Sequence, residues 1–260
     1  MINLIIDTNI WIYLAQGEHP YILEKVLEKV ENREFRFIVS ELQIHEWNRH
    51  KDKIKEDIVK SLRFQYNSAK SISTYISSTE KSQYLKIIEK ELKDESQLLK
   101  IAEDKYNLIE DILKNKSIVA PVTDKQKLEV SDWAIEGKAP FHKKSNSYAD
   151  ALILLSGVEY VKEHSLHKST NDSSPVIPDS VFISYNHTDF SKGDKMPDKD
   201  IIHPDLEPLL GSVKMSYIRH IDRLVPISAA MQVEINQYWE YIDDMVASHF
   251  ENQYDIMRGR

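Results

Sequence analysis

Short apolar runs alternate with amphipathic segments at the start of the chain. Residues 4–6 (LII) form an unbroken apolar run, and residues 35–40 (FRFIVS) form a second one. Such runs are typical of strands that are buried on both faces of a parallel sheet. Apolar positions between the runs recur at helical spacing, and Ser40 is placed to cap the next helix. The alternation predicts an α/β fold with a central parallel sheet flanked by helices.

The pattern changes from about residue 51 to 116. Long, highly charged segments there carry their apolar residues on one helical face, with a turn predicted at residues 77–79. We interpret this part as a helical insertion. Basic residues outnumber acidic ones by seven to three between Asn48 and Lys70. This strip is either a phosphate-facing surface or a solvated helix face.

Strand and helix signals return in the second half. Residues 117–124 (SIVAPVTD) fit a short strand or an extended connection, and the polar stretch up to Ser147 stays unassigned. A helix is predicted over residues 147–164, and a strand is predicted at residues 181–184. A helix near Leu224 and an amphipathic helix over about 228–257 are predicted to follow. The predicted organisation is a discontinuous core (1–50 and 117–225), an insertion (51–116) and a C-terminal helix (226–260).

Composition narrows the chemistry. The chain has 260 residues, 41% hydrophobic and 29% charged, which is typical of a globular protein. It lacks cysteine, so disulfides, thiol catalysis and cysteine-bound zinc are excluded. The net charge of −8 gives no global sign of nucleic-acid binding. No apolar stretch approaches the roughly 18 residues of a membrane span, and a cytoplasmic location is expected.

Four acidic residues stand at predicted strand ends or helix starts: Asp7, Glu46, Asp150 and Asp189. Asp7 also has a simpler interpretation, as the cap of the helix that follows it. Because the carboxyl ends of parallel strands share one edge, these acids are expected to converge in one crevice. Clustered carboxylates need a compensating cation, and oxygen ligands favour Mg²⁺ or Mn²⁺. Such ions activate water for phosphodiester cleavage.

Other catalytic patterns are missing. With six glycines, the sequence has no P-loop, no dinucleotide-binding fingerprint and no serine-nucleophile elbow. The aspartyl-phosphate phosphatases need a second aspartate where Asn9 stands. The histidines form no zinc-binding spacing. Of these, His187 is the one whose position near the predicted metal edge suggests contact with a phosphate.

Four segments resemble the PIN-domain nucleases. "LIIDTNIWIYL" is similar to the first-strand motif with Asp7, and "VSELQIHEW" to the segment of the second acid, placed at Glu46. "YADALILLS" is similar to the helix start that carries Asp150, and "VFISYNHTDF" to the last strand with Asn186 and Asp189. The insertion resembles that of larger bacterial members. The resemblance implies a PIN-like fold and a metal site that includes Asn186.

Two assignments within the motifs are open. Glu41 is a rival for the second acid, although its position on the helix favours a different direction. Many family members have aspartate at the position of Asn186, and an amide can bind a metal but brings no charge. Either Asp189 supplies the fourth carboxylate, or a second metal binds weakly.

The resemblance implies an endoribonuclease that depends on Mg²⁺ or Mn²⁺, with a role as a toxin or phage-defence effector. The predicted RNA-contacting residues are Thr8, Asn9, Lys143, Lys144, His187, Arg49, Lys51, Lys53, Lys55 and Arg63. We also expect a protein partner or inhibitor and a homo-oligomer. Association with a membrane is not expected. The alternatives are a PIN-like scaffold without turnover and a structure-specific DNA nuclease.

Overall fold

The computed structural model describes residues 1–17, 20–72, 75, 81–83, 85–86, 94–143, 147–166 and 180–225. The chain divides into two compact units, Met1–Ile221 and Asp222–Arg260. Of the second unit, residues 222–225 are described, and a 3-10 helix, Ile221–Leu224, ends there. The helix predicted over 228–257 lies outside the described residues. The predicted domain boundaries stay predictions.

Five strands of the first unit form one parallel sheet. Their order across the sheet is β3-β2-β1-β4-β5, and each neighbouring pair is parallel. The strands are β1 (Ile2–Ile6), β2 (Phe35–Ser40), β3 (Ile118–Ala120), β4 (Ser180–Ile183) and β5 (Met215–Ile218). All of β4 and most of β1 and β2 are buried, as expected for a parallel sheet flanked by helices. The predicted fold class is confirmed.

Helices lie between successive strands along the chain. The described α-helices are α1 (Thr8–Gln16), α2 (Pro20–Glu31), α3 (Glu41–Arg49), α4 (Lys51–Ile72), α5 (Glu95–Asn115), α6 (Asp124–Glu136), α7 (Tyr148–Leu166), α8 (His187–Phe190) and α9 (Glu207–Gly211). The long helices α4 and α5 lie in the charged segment and pack against each other. None of the described helices is long and apolar enough to cross a bilayer.

Four of these elements were not predicted from the sequence: α6, α8, α9 and β5. Helix α6 lies in the polar stretch before Ser147, and its apolar pattern is weak because Leu128 and Ile135 are 69% and 83% exposed. Strand β5 is four residues long and includes the exposed Ser216, so it shows no apolar run. The turn predicted at residues 77–79 lies outside the described part of the chain.

Local chemistry explains where the helices next to the sheet begin and end. Helix α3 begins with a capping box, in which the side chains of Ser40 and Gln43 bind each other's backbone N–H groups. Helix α1 ends at Gly17, whose φ of 70° favours a residue without a Cβ. These signals fix α1 and α3 directly after β1 and β2.

Candidate active site

The candidate site lies at the carboxyl edge of the sheet, where β1 is flanked by β2 and β4. Asp7 directly follows β1, and its backbone N–H donates to the Ile183 carbonyl of β4 at 2.9 Å. Helix α3 follows β2, and α8 follows β4 after a short connection. The topology therefore brings the starts of three helices to one edge.

Asp7 is buried, with 1% of its surface exposed. Its Oδ2 accepts a 2.6 Å hydrogen bond from the Ser184 hydroxyl. Its Oδ1 is also buried and has no hydrogen-bond donor among the described residues. Burial raises the pKa of Asp7 to about 6, and the charges of Glu46 and Asp189 add to the rise. The Ser184 hydroxyl and the Thr8 backbone N–H offset part of this rise in pKa, and Oδ1 keeps no hydrogen-bond partner within the described part of the chain.

Asp150 and Asp189 share one hydrogen-bond donor, the side-chain amide of Asn186. Its Nδ2 lies 3.0 Å from Asp189 Oδ2 and 3.4 Å from Asp150 Oδ2. The Ser147 hydroxyl donates to the same oxygen of Asp189. Burial raises the pKa of Asp150 well above its ordinary value, and the charges of Asp7, Asp189 and Glu46 raise it further.

Glu46 reaches the site from α3. The Thr8 hydroxyl donates to its Oε2 at 3.3 Å, and Arg49 Nη2 lies 3.5 Å from its Oε1. The helix itself is held to the sheet by Gln43, whose Nε2 donates to the Ile6 carbonyl at 2.6 Å. Because Gln43 and Glu46 are three residues apart, they share the helix face that looks towards the end of β1.

Glu41, the rival for the second acid, is engaged elsewhere. Its Oε1 accepts the backbone N–H of Val122, at 3.0 Å, beyond the end of β3. Glu46 is thus the acid of α3 that contacts Thr8 and influences Asp7. The catalytic and metal-binding roles of these residues stay predictions.

Comparison with protein families gives one result that covers most of the chain. A model of the PIN domain matches residues 4–190. The chain belongs to the PIN-domain family. No curated protein and no solved structure matches it. The matched region contains all four acids and helices α4 and α5, and family membership supports a nuclease.

The donor chemistry of this PIN-domain site suits a hard divalent cation. Carboxylate and amide oxygens are ligands that Mg²⁺ and Mn²⁺ prefer, and Asp7 Oδ1 has no donor in the described part. However, among the described residues no three His, Cys, Asp or Glu side chains are grouped so that they could hold a metal ion together. The side-chain NH₂ group of Asn186 instead presents its partial positive charge to the carboxylates of Asp150 and Asp189.

Two serines that support the acids were missed from the sequence. Ser184 is fully buried and donates to Asp7, while its oxygen accepts the backbone N–H of Asn186 at 3.1 Å. Ser147 donates to Asp189 directly before α7. Their positions, at the end of a strand and the start of a helix, are the signal that could have identified them.

The predicted RNA contacts near the acids differ in accessibility. Asn9 is exposed and Thr8 is half-buried, whereas His187 is buried with 3% of its surface exposed. Lys143 forms a 2.6 Å ion pair with Asp194. Lys144 lies outside the described residues. Because it is buried, the His187 ring offers little surface to a phosphate.

The basic strip of α4 is largely neutralised by neighbouring carboxylates. Lys53 pairs with Asp57 at 3.0 Å, and Lys60 pairs with Glu56 at 2.7 Å. Further partners are Glu103 for Lys55, Glu95 for Arg63 and Glu46 for Arg49. The local excess of positive charge is therefore smaller at the surface than in the sequence.

Proposed function

We propose that this PIN-domain protein is a metal-dependent endoribonuclease that uses Asp7, Glu46, Asp150 and Asp189. The observation that carries the proposal is Asp7 Oδ1, a buried carboxylate oxygen without a donor among the described residues. Three further carboxylates act electrostatically on this site and on each other. A divalent cation would relieve their repulsion.

The chain's own residues divide into holding and supporting roles. A Mg²⁺ or Mn²⁺ ion would have to draw Asp7, Asp150 and Asp189 together, and Glu46 approaches from the less buried side. The Asn186 amide would join them only after it turns over, because its nitrogen faces the acids and its oxygen accepts a 2.7 Å hydrogen bond from the Thr188 hydroxyl. Such an ion activates water and stabilises negative charge on a phosphodiester. Because the pKa of Asp7 is raised to about 6, protons compete with the cation at mildly acidic pH, and the raised pKa of Asp150 adds to this competition.

RNA is the proposed substrate because the sequence motifs resemble PIN-domain nucleases. The proposal includes phosphate contacts by exposed basic residues, with selection by RNA shape and single-strandedness. A toxin or phage-defence role, a cytoplasmic location, a protein inhibitor and a homo-oligomer belong to the same proposal.

The test is incubation of the purified protein with labelled single-stranded RNA, with Mn²⁺ and with EDTA. We expect the wild-type protein to cleave the RNA with Mn²⁺ and not with EDTA. We expect the Asp7→Asn and Asp150→Asn variants to have lost this cleavage. Asp124→Asn is the matched control, because the Asp124 side chain is 93% exposed and pairs with Lys127. Cleavage that survives both site substitutions, or that needs no metal, would reject this site.

A scaffold without turnover is the second candidate. It is favoured by the neutral Asn186 and by the lack of a three-residue metal group in the described part of the chain. Wild-type protein that binds RNA without cutting it, and gains cleavage on Asn186→Asp, would support the scaffold. The third candidate is a DNA nuclease. Cleavage of structured DNA in preference to RNA, when both are offered, would identify it.

A further inference from the structure

An aromatic stack involves Trp47, the residue that follows Glu46 on α3. The Trp47 side chain stacks on Tyr106 of α5 with ring centroids 5.1 Å apart and an interplanar angle of 17°. Both side chains are buried, and the Tyr106 hydroxyl donates to the Trp47 backbone carbonyl at 3.4 Å. Burial raises the Tyr106 pKa to about 12, so this donor keeps its proton. Tyr106 therefore contacts α3 through both its ring and its hydroxyl.

Two lysines complete the stack. Lys51 Nζ and Lys55 Nζ lie 5.2 and 5.1 Å from the centre of the Tyr106 ring, within the range of cation–π attraction. Lys55 is also bound by Glu103 of α5. These two members of the basic strip are thus engaged with α5 and differ from Lys53, which is 61% exposed.

Helix α5 also contacts the ends of α1 and α3, two of the three helices that begin at the site. Lys105 Nζ donates to the Gln16 carbonyl at the end of α1, at 3.1 Å. Lys114 Nζ donates to Asn48 of α3 at 3.3 Å. Helix α1 provides Thr8, the hydroxyl donor to Glu46. One helix therefore holds both sides of the Thr8–Glu46 contact.

Glu46 depends on such support more than Asp7 does. Its side chain is 15% exposed, and its polar contacts are long, at 3.3 Å to Thr8 and 3.5 Å to Arg49. Asp7, by contrast, has a 2.6 Å hydrogen bond from the buried Ser184. The position of Glu46 is thus set mainly by the position of α3.

We propose that Tyr106 is a positioning residue for Glu46, and that α4 and α5 brace α3 at the metal site. The inference rests on the proposed function, since it assigns Glu46 a role in metal binding. It makes Lys51 and Lys55 part of the brace. A stack that serves stability alone is the competing explanation, and metal affinity distinguishes the two.

The experiment is a double-mutant cycle between Tyr106→Leu and Glu46→Gln, with Mn²⁺ affinity measured by calorimetric titration and stability by thermal unfolding. We expect Tyr106→Leu to weaken Mn²⁺ binding roughly tenfold, as is typical for groups that orient a ligand. In the Glu46→Gln background the same substitution should leave Mn²⁺ affinity unchanged and still lower the melting temperature. Tyr106→Phe keeps the ring and should restore most of the affinity.

The matched control is Leu98→Ala on α5, because Leu98 is similarly buried but lies near the start of the helix, about two turns before Tyr106. It should lower stability without weakening Mn²⁺ binding. The positioning role of Tyr106 would be overturned, and the proposed function left standing, by either of two results. One is an equal loss of Mn²⁺ affinity from Tyr106→Leu in both Glu46 backgrounds, and the other is an equal loss of Mn²⁺ affinity in Leu98→Ala. Wild-type protein that binds no Mn²⁺ would overturn the proposed function as well. If Tyr106→Leu does not fold, Trp47→Phe replaces it, with the same dependence on Glu46 expected.

Discussion

Ser184 determines which oxygen of Asp7 stays available. A hydroxyl has one proton, and the Ser184 oxygen already accepts the Asn186 N–H, so its proton is directed to Asp7 Oδ2. Ser184→Ala removes the hydrogen bond that lowers the pKa of Asp7. We expect roughly tenfold weaker Mn²⁺ binding and a loss of about 1–3 kcal/mol in the free energy of unfolding.

Calorimetry and thermal melts test this effect. Ser156→Ala is the control, because Ser156 is equally buried and donates to a carbonyl of its own helix, α7. Equal Mn²⁺ affinity in Ser184→Ala and wild type would show that the hydroxyl does not orient Asp7.

Asp7 makes the stability of the metal-free protein dependent on pH. Its pKa is about 6 in the folded protein, above the ordinary value of 3.8, so the folded state binds the extra proton between these values. The contribution of Asp7 to the free energy of unfolding is therefore fully present below pH 3.8, and it is lost as the pH rises through 6. The difference corresponds to roughly 3 kcal/mol.

Asp7→Asn should remove this penalty. We expect a higher melting temperature than wild type in EDTA at pH 7.5 and no advantage near pH 4, with activity abolished. Asp150→Asn should act in the same direction, because its pKa is raised too. Marked destabilisation of both variants in EDTA at pH 7.5 would contradict the repulsion between the acids.

At the scale of elements, Gln43 anchors α3 to the sheet. It caps its own helix and donates to the Ile6 carbonyl, so Gln43→Leu leaves a buried carbonyl and an N–H without partners. We expect a loss of about 1–3 kcal/mol in the free energy of unfolding, together with weaker Mn²⁺ binding.

A second capping box gives the matched control for this element. Gln126 caps α6 with Thr123, is similarly buried, and binds Glu159 away from the four acids. Gln126→Leu should lower thermal stability to a similar extent and leave the Mn²⁺ titration unchanged. The same loss of metal binding in both variants would mean that general destabilisation explains it.

Sequence patterns predicted the elements whose apolar residues are consistently buried. All of β4 and most of β1 and β2 are buried, whereas β5 and α6 mix buried and exposed positions. The acids could be singled out because they stand at predicted strand ends or helix starts. The choice of Glu46 over Glu41 needed the contact with Thr8, and the Trp47–Tyr106 stack joins residues 59 positions apart. Contacts between distant segments leave no local signal.

At the scale of the whole molecule, a chain of net charge −8 has to attract RNA locally. Ion pairs at exposed side chains contribute little stability, so a phosphate can displace the partners of Lys53 and Arg63 at small cost. These two side chains are 61% and 50% exposed and are separate from the Tyr106 stack. They test the basic strip without removing a contact to Tyr106.

We expect the double variant Lys53→Gln and Arg63→Gln to weaken RNA binding and to flatten its salt dependence. For each phosphate that the variant no longer binds, the logarithmic salt slope should fall by about 0.7 for a single strand, because fewer counterions are released. Single-turnover cleavage at saturating RNA should stay at the wild-type rate. The control is Lys127→Gln with Lys138→Gln, since these lysines are equally exposed and ion-paired but lie at α6 and directly after it. Affinity and salt slope equal to wild type in the strip variant would identify the strip as a solvated helix face, and RNA would then have to approach the acids from another side.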